Sequence, residues 1–534
     1  MTQPHAPRLR ALCALLAVFA SLAAQARGTP AGDPATRHYI AETWSVLTRD
    51  NHRCETFRDD STPGPPVVYV AADEDPGRVS AELAACQVQV RQLPAVIHRI
   101  GDLDPARVAP GLLYLPHPYV VPGGMFNEMY GWDSYFILRG LLADGKVALA
   151  QGMVENFFYE IEHYGGILNA NRTIFLSRSQ PPFLTSMIRE LYAVRADRRW
   201  LARAYDAAVR EYSLWVRPEH LAGTTGLARY WDYEAGPVPE LGMNSPYFLQ
   251  IAASAVRDPQ LQDYLEAAPG PYELRVCAGT DNCSTPLPVG LSDSFFHGDR
   301  AVRESGFDIT SRFGPFGGRA HDYAPVCLNS LLFKAEQDLE WMARQLGRSA
   351  DATRWRIAAD QRKERINRYL WNEAAGAYYD FQASSDRQST YLFATTFYPL
   401  WAGIADPRQA AALRRNFTRL NRPGGLLTSE TVSGAQWDAP YGWAPLQLLA
   451  AEGLARYGFA SEAEALATEF TGMIDENLRR DGTIHEKYDV EQRTSEVHVT
   501  TGYTVNVAGF GWTNGVYLAL AGMHARIRVR SESR

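Results

Sequence analysis

Cysteine is scarce in this 534-residue chain, with six positions. None forms a CxxC pair or sits with histidine at ligand spacing, so no structural zinc is expected. Long runs of one charge are absent and the formal net charge is -7, which argues against a nucleic-acid groove or a membrane-surface patch. No nucleotide-binding loop is evident, and no cofactor is expected. After the N-terminal region no apolar run is long enough to cross a bilayer. Strand-like alternation is scarce and short.

What is present begins with a leader-like segment. Arg8 and Arg10 precede the apolar stretch Ala11–Ala23, and Ala24-Gln25-Ala26 fits a small-x-small cleavage site. Residues 1–26 are therefore expected to be a signal peptide, and the protein to be periplasmic or secreted, with no membrane contact after cleavage. Export permits disulfides. Cys277 and Cys283 flank a polar loop that a bridge would close, and Cys54 with Cys86 can pin an N-terminal segment. Cys327 sits in an apolar run and reads as a buried free thiol.

Hydrophobic residues make up 46% of the chain, enough for a large core, and apolar positions recur mostly at helical spacing. Helix pairs are expected at 133–142 with 147–163, 185–195 with 197–214, and 325–347 with 350–371. Two more are expected at 391–404 with 407–420 and 443–457 with 461–477, and the helix 514–526 closes the chain. Shorter helices are expected at 35–50, 80–97, 246–256 and 260–267, while 51–79 reads as a surface loop. Repeated pairs with long loops at one side suggest an all-α toroid of inner and outer helices, an (α/α)6 barrel; an irregular solenoid is the alternative. The turn and short strand after Trp371 also favour the toroid. The expected organisation is one domain over 27–534, with an N-terminal extension over about 27–120 and a Cys-containing insertion over about 269–296.

Five loops concentrate the chemistry. The stretch Arg303–Phe313 surrounds Asp308 with Arg303, Glu304 and Arg312, while Phe307 and Phe313 make its setting partly apolar. A carboxyl so placed can stay protonated near neutral pH and donate to a leaving group; a buried Asp paired with Arg303 or Arg312 is the structural alternative. In Val121–Phe136, Trp132 and Asp133 offer a sugar a stacking face and a hydroxyl acceptor, unless Asp133 only caps a helix. Arg178 and Gln180 lie beside Pro181-Pro182. Trp437 and Asp438, in Gln436–Pro445, suit a sugar-subsite wall or a packing corner equally. Glu486 is the candidate partner of Asp308, unless it is a surface group beside Lys487.

Together these stretches resemble the α,α-trehalases, family 37 of the glycoside hydrolases. The Pro-Gly-Gly stretch and Gln436–Pro445 match the two family signatures. Leu176–Phe183, Glu304–Phe313, Glu486–Val490 and Gly509–Gly515 match further blocks in the same order. The resemblance implies an (α/α)6 barrel and an inverting glucosidase, with Asp308 as general acid and Glu486 as general base. It further implies sugar contacts at Trp132, Asp133, Asn169, Arg178, Ser179, Gln180, Glu240 and Gly306. The partner implied is a small carbohydrate, trehalose by default; no nucleic acid and no metal are expected, and the enzyme is expected to be a monomer.

The departures are specific. The family has Arg where this chain has Met125 and again where it has Val238, and its glycine-rich lid is replaced by Glu491–Tyr503. Acid and base remain while part of the pocket has changed. That pattern points to an altered substrate, another glucoside or a longer periplasmic glucan, rather than to lost chemistry. A non-hydrolytic sugar-binding protein is the reading from a different class.

Overall fold

The computed structural model describes residues 32–58, 64–242, 245–268, 270–277 and 285–532, the last without the side chains of 524–532. The expected signal peptide and Cys283 lie outside the described residues.

Six helices form a closed inner ring: α3 (Asp133–Ala143), α5 (Leu184–Val194), α9 (Val326–Gln345), α11 (Tyr398–Ala402), α13 (Ala444–Arg456) and α15 (Gly511–Glu532). Each packs on the next in that order, and α15 returns to α3. The outer helices α4 (Val147–His163), α6 (Arg198–Leu214), α10 (Ser349–Tyr369), α12 (Pro407–Leu420) and α14 (Ala460–Asp481) each follow their inner partner. The N-terminal helix α1 (Pro34–Leu47) packs on α15 and completes the outer layer. This is the all-α (α/α)6 toroid expected from the pattern.

The two layers follow from side-chain distribution. Inner helices are apolar on nearly every side; in α13 residues from Ala444 to Leu454 are buried with one exception. Outer helices bury one stripe, as α12 does with Ala410, Leu413, Phe417 and Leu420, and present arginines outward. The ring closes where Gly140 meets Gly515: a Cβ on Gly140 would come within 2.5 Å of the Gly515 Cα, so only glycine permits this approach.

Several expectations are corrected. The 51–79 loop and the 80–97 helix are instead a small α/β unit. Val67–Val70 lies between Gln89–Gln92 and Leu112–Leu113 in a parallel sheet, and α2 (Pro76–Glu82) is short. The run of β-branched and aromatic residues Val67-Val68-Tyr69-Val70 explains the strand. A Cys54–Cys86 disulfide pins this unit, and Cys327 is free and buried. The stretch 260–267 is a 3-10 helix over Pro259–Tyr264 leading into a strand. The 269–296 region carries an antiparallel hairpin, Glu273–Val276 with Leu287–Leu291. It packs with α7 (Pro246–Arg257) and α8 (Asp293–Glu304) in a separate apolar cluster around Phe248, Phe295 and Phe296. The 391–404 helix shrinks to α11 and a preceding 3-10 turn, since Pro399 bars an earlier start and Gly403 ends it at φ 84°.

Candidate active site

The loops that precede the inner helices gather on one face of the toroid. They enclose a cavity of about 300 Å³ lined by Trp132, Asp133, Gln180, Gly306, Asp308, Trp437 and Glu486, and by Pro122, Met125, Phe126, Tyr130, Tyr503, Val505, Val507, Phe510 and Trp512. Met125, Phe126 and Tyr130 also border a wider basin of about 950 Å³ that reaches Arg49, Arg172 and Glu240.

Asp308 follows α8, whose last residue is Glu304. The Glu304 carboxylate is buried and accepts from the Ser179 N–H at 3.2 Å and the Trp231 N–H at 2.6 Å, which ties three loops together. Gly306 then turns the chain at φ 75°; a Cβ there would meet the Trp132 ring at 2.8 Å. Burial pushes the Asp308 carboxyl up to about 6, against the opposing effect of Arg303. About a third of its side chain (34%) remains open to the cavity, and Arg303 Nη1 stands 3.9 Å away. Arg303 itself bonds Asp299 at 3.2 Å, and Arg312 grips Asp380 with two bonds of 2.6 Å. Neither arginine therefore neutralises Asp308 in a close pair.

The next residues are held from the opposite loop. The Gln436 side-chain amide donates to the Asp308 carbonyl, and the Trp437 N–H donates to the Ile309 carbonyl at 3.2 Å. The Asp438 carboxylate accepts from Thr310 Oγ1 and the Ser311 N–H, both at 2.9 Å, from Ser429 Oγ at 3.1 Å, and from Ser433 Oγ. Asp438 is fully buried and absent from the cavity lining, a placement that fits the packing-corner alternative, where it braces the Asp308 loop from behind. Trp437 does line the cavity, with its ring stacked on Trp443 at 3.8 Å.

Glu486 precedes the strand Lys487–Asp489, which pairs with Tyr441–Trp443 and so couples both loops. It is 3% exposed, not a surface group. Burial pushes its carboxyl up, but Lys487 and Tyr503 oppose this. Lys487 Nζ donates to Oε2 at 2.9 Å and the Tyr503 hydroxyl donates to Oε1. Tyr503 thus brings the end of the 491–503 segment against the cavity. Asp133, at the start of α3, is buried beside Glu486 and Asp308, and burial with these like charges holds its carboxyl well above the usual range.

Among the other expected contacts, Gln180 lines the cavity and accepts from the Trp132 N–H at 3.0 Å. Four stand behind or beside the cavity. Asn169 donates to the Ser179 carbonyl at 3.3 Å, and Ser179 Oγ donates to the Ile167 carbonyl at 2.6 Å. Arg178 bonds Glu240 at 2.6 Å, and Glu240 borders the outer basin. Sequence reasoning missed Tyr503 as a partner of Glu486, although the rewritten 491–503 segment pointed towards it, and placed Lys487 beside Glu486 only in the surface alternative. Met125 is at the cavity mouth, whereas Val238 is buried in the apolar cluster around Phe248. Among the described residues no group of three or more His, Cys, Asp or Glu is arranged to hold a metal.

Fold and site together define an (α/α)6 toroid protein with three carboxyl groups converging on one small cavity. The family model described as Trehalase matches residues 80–524, and the chain belongs to that family. A cytosolic neutral trehalase of Neurospora crassa is 39% identical over 75% of this chain and 57% of its own length. A probable trehalase of Eremothecium gossypii is 38% identical over 75% of this chain and 57% of its own. This chain thus spans under two thirds of those relatives. The solved neutral trehalase Nth1 from Saccharomyces cerevisiae superposes with a TM-score of 0.74 at 31% identity, covering 93% of this chain and 95% of that one. A GH63 mannosylglycerate hydrolase from Thermus thermophilus shares the fold at a TM-score of 0.51 and 18% identity.

These relatives correct the expected location. Those from Neurospora crassa, Pyricularia oryzae and Kluyveromyces lactis are named cytosolic, which overturns the periplasmic or secreted assignment drawn from residues 1–26. Among the described residues no helix is long and apolar enough to cross a membrane.

Proposed function

We propose that this protein hydrolyses α,α-trehalose or a related α-glucoside with inversion, releasing glucose. The observation that carries this reading is the pair Asp308 and Glu486 in one cavity, each in a different electrostatic setting. Asp308, with its affinity for a proton raised, acts as general acid on the glycosidic oxygen. Glu486 takes a proton from the attacking water, while Lys487 and Tyr503 favour its anionic form. The C–O bond to the leaving group breaks as water bonds the anomeric carbon from the other face. Inversion requires the carboxyls to stand about 6.5–9.5 Å apart, so that the water fits between them.

Trp132 and Trp437 supply faces for the sugar ring, while Asp133 and Gln180 hold its hydroxyls and fix it for attack. Arg178, Asn169, Ser179 and Glu240 support this constellation from beside it. A cavity of about 300 Å³ is at the small end of ligand sites, which favours a disaccharide-sized substrate. The adjoining basin favours a second reading on one point: a longer α-glucan has room to extend past Met125. The toroid acts as one catalytic domain, because its own loops carry the proposed groups, and it acts as a monomer.

The test is glucose release from trehalose, kojibiose and maltose by wild type and Asp308→Asn. Release by wild type alone, with fresh glucose of β configuration by NMR, supports the reading. Binding without release on every substrate refutes it.

A further inference from the structure

The two ends of the cavity differ in chemistry. At the inner end the lining residues Asp133, Gln180 and Glu486 are nearly buried, and Asp308 is open by about a third. At the outer end Met125 is 66% exposed, Val505 57% and Tyr503 41%, so three large exposed apolar side chains meet at one opening. Phe126 and Tyr130 continue this rim into the basin. Among the described residues of the rim, the polar side-chain atoms are two tyrosine hydroxyls, and that of Tyr503 is already donated to Glu486. Beyond the rim Arg172 pairs with Glu128 and Arg178 with Glu240, each at 2.6 Å, Arg53 pairs with Glu55 at 2.7 Å, and Arg49 donates to Asn127 at 2.8 Å and to the Phe126 carbonyl at 2.7 Å.

A leaving group rich in hydroxyls exchanges water for few partners in such a place, and each unpaired hydroxyl costs binding free energy. A leaving group with an apolar surface instead removes Met125 and Val505 from water. Resting on the reading of this cavity as an α-glucosidase site, we infer that its leaving-group side recognises an apolar aglycone, so that alkyl and aryl α-glucosides form a substrate class of this protein. The glucose ring occupies the inner end and the aglycone lies across Met125, Val505 and the Tyr503 ring. The reaction is the same hydrolysis: the aglycone oxygen takes the Asp308 proton, water supplies the hydroxyl at the anomeric carbon, and no further reactant is needed.

Methyl and octyl α-glucoside, the latter below its micelle concentration, share the same scissile bond and differ only in the aglycone. The expected result is a kcat/KM for octyl α-glucoside at least tenfold above that for methyl α-glucoside. Met125→Asp and Val505→Asp should each lower that ratio at least threefold. Val194→Asp, at an exposed apolar position on α5, should leave it unchanged. Trehalose turnover and circular dichroism report on folding and on the site itself. An octyl-to-methyl ratio of one or less, with trehalose or methyl glucoside still hydrolysed, overturns the inference alone. No glucose from any of the three overturns the reading of the site and the inference with it.

Discussion

Asp438→Ala tests whether the acid loop is held from behind. The carboxylate receives four donors, two of them on Thr310 and Ser311, next to Asp308. Ser429 can turn its hydroxyl wholly to the Thr431 carbonyl, 3.2 Å away, and so loses little. The Ser311 N–H cannot turn, and the Thr310 hydroxyl loses its acceptor while still accepting from the Arg312 N–H. Stranding a buried donor costs about 1–3 kcal/mol, and removal of a buried carboxylate returns part of its desolvation, so the net loss should be about 2–4 kcal/mol. Asp438→Asn keeps the shape, and its oxygen can serve Ser311 while its amide donates to the hydroxyls, so about 1 kcal/mol is expected. Loosening the loop beside the proton donor should lower kcat about 10–100-fold in the alanine variant, equivalent to about 1.4–2.7 kcal/mol in the barrier. KM should stay within about threefold, because Asp438 does not reach the cavity. Glucose release under saturating and limiting substrate, together with urea unfolding, measures each quantity. An alanine variant with unchanged kcat and lowered stability would refute the positioning argument; a raised KM at constant kcat would return Asp438 to the sugar.

Four further outcomes follow from the same geometry. As the proposed general acid Asp308 acts in its protonated form, so kcat/KM should fall as pH rises through about 6, and Arg303→Gln, which removes the cation opposing protonation, should move that limb to higher pH. A carboxyl whose folded pKa is raised from 3.8 to about 6 binds more protons when folded; it weakens the fold progressively as pH rises from 3.8 through 6. Asp308→Asn should therefore stabilise the protein at pH 7, by about 1–2 kcal/mol once screening at its open face is allowed for, and urea unfolding at pH 4 and 7 checks that the gain appears only at the higher pH. Tyr503→Phe removes a donor to the Glu486 anion, so the acid limb should move to higher pH, read from kcat/KM profiles. Reduction of Cys54–Cys86, which span a separation of 32 residues, should weaken the 54–92 region by about 3–4 kcal/mol, seen as faster hydrogen exchange there with little change in the toroid.

The helix pairs were legible because outer helices carry a 3.6-residue apolar period over many turns, as Val147–His163 and Pro407–Leu420 do, beside inner helices that are more uniformly apolar, such as Ala444–Arg456. The helix Asp293–Glu304, which delivers Asp308, escaped notice because it lies next to a cysteine-containing stretch that resembles a loop. The parallel strand Val67–Val70 escaped because four β-branched or aromatic residues sit among prolines, glycines and aspartates. For Asp438 the sequence left a subsite wall and a packing corner equal, because its partners, Thr310 and Ser311, are far away in the chain.

By itself the sequence determined the toroid and singled out Asp308 and Glu486 as candidates, since periodic burial and dense blocks of chemically active residues are local properties of the chain. Tertiary structure alone decided which polar groups face the cavity and which brace it. It also set the proton affinities of Asp308 and Glu486, and the apolar mouth formed by Met125, Tyr503 and Val505. Each of these depends on residues from different loops meeting in space, where desolvation and charge act over a few ångströms irrespective of distance along the chain.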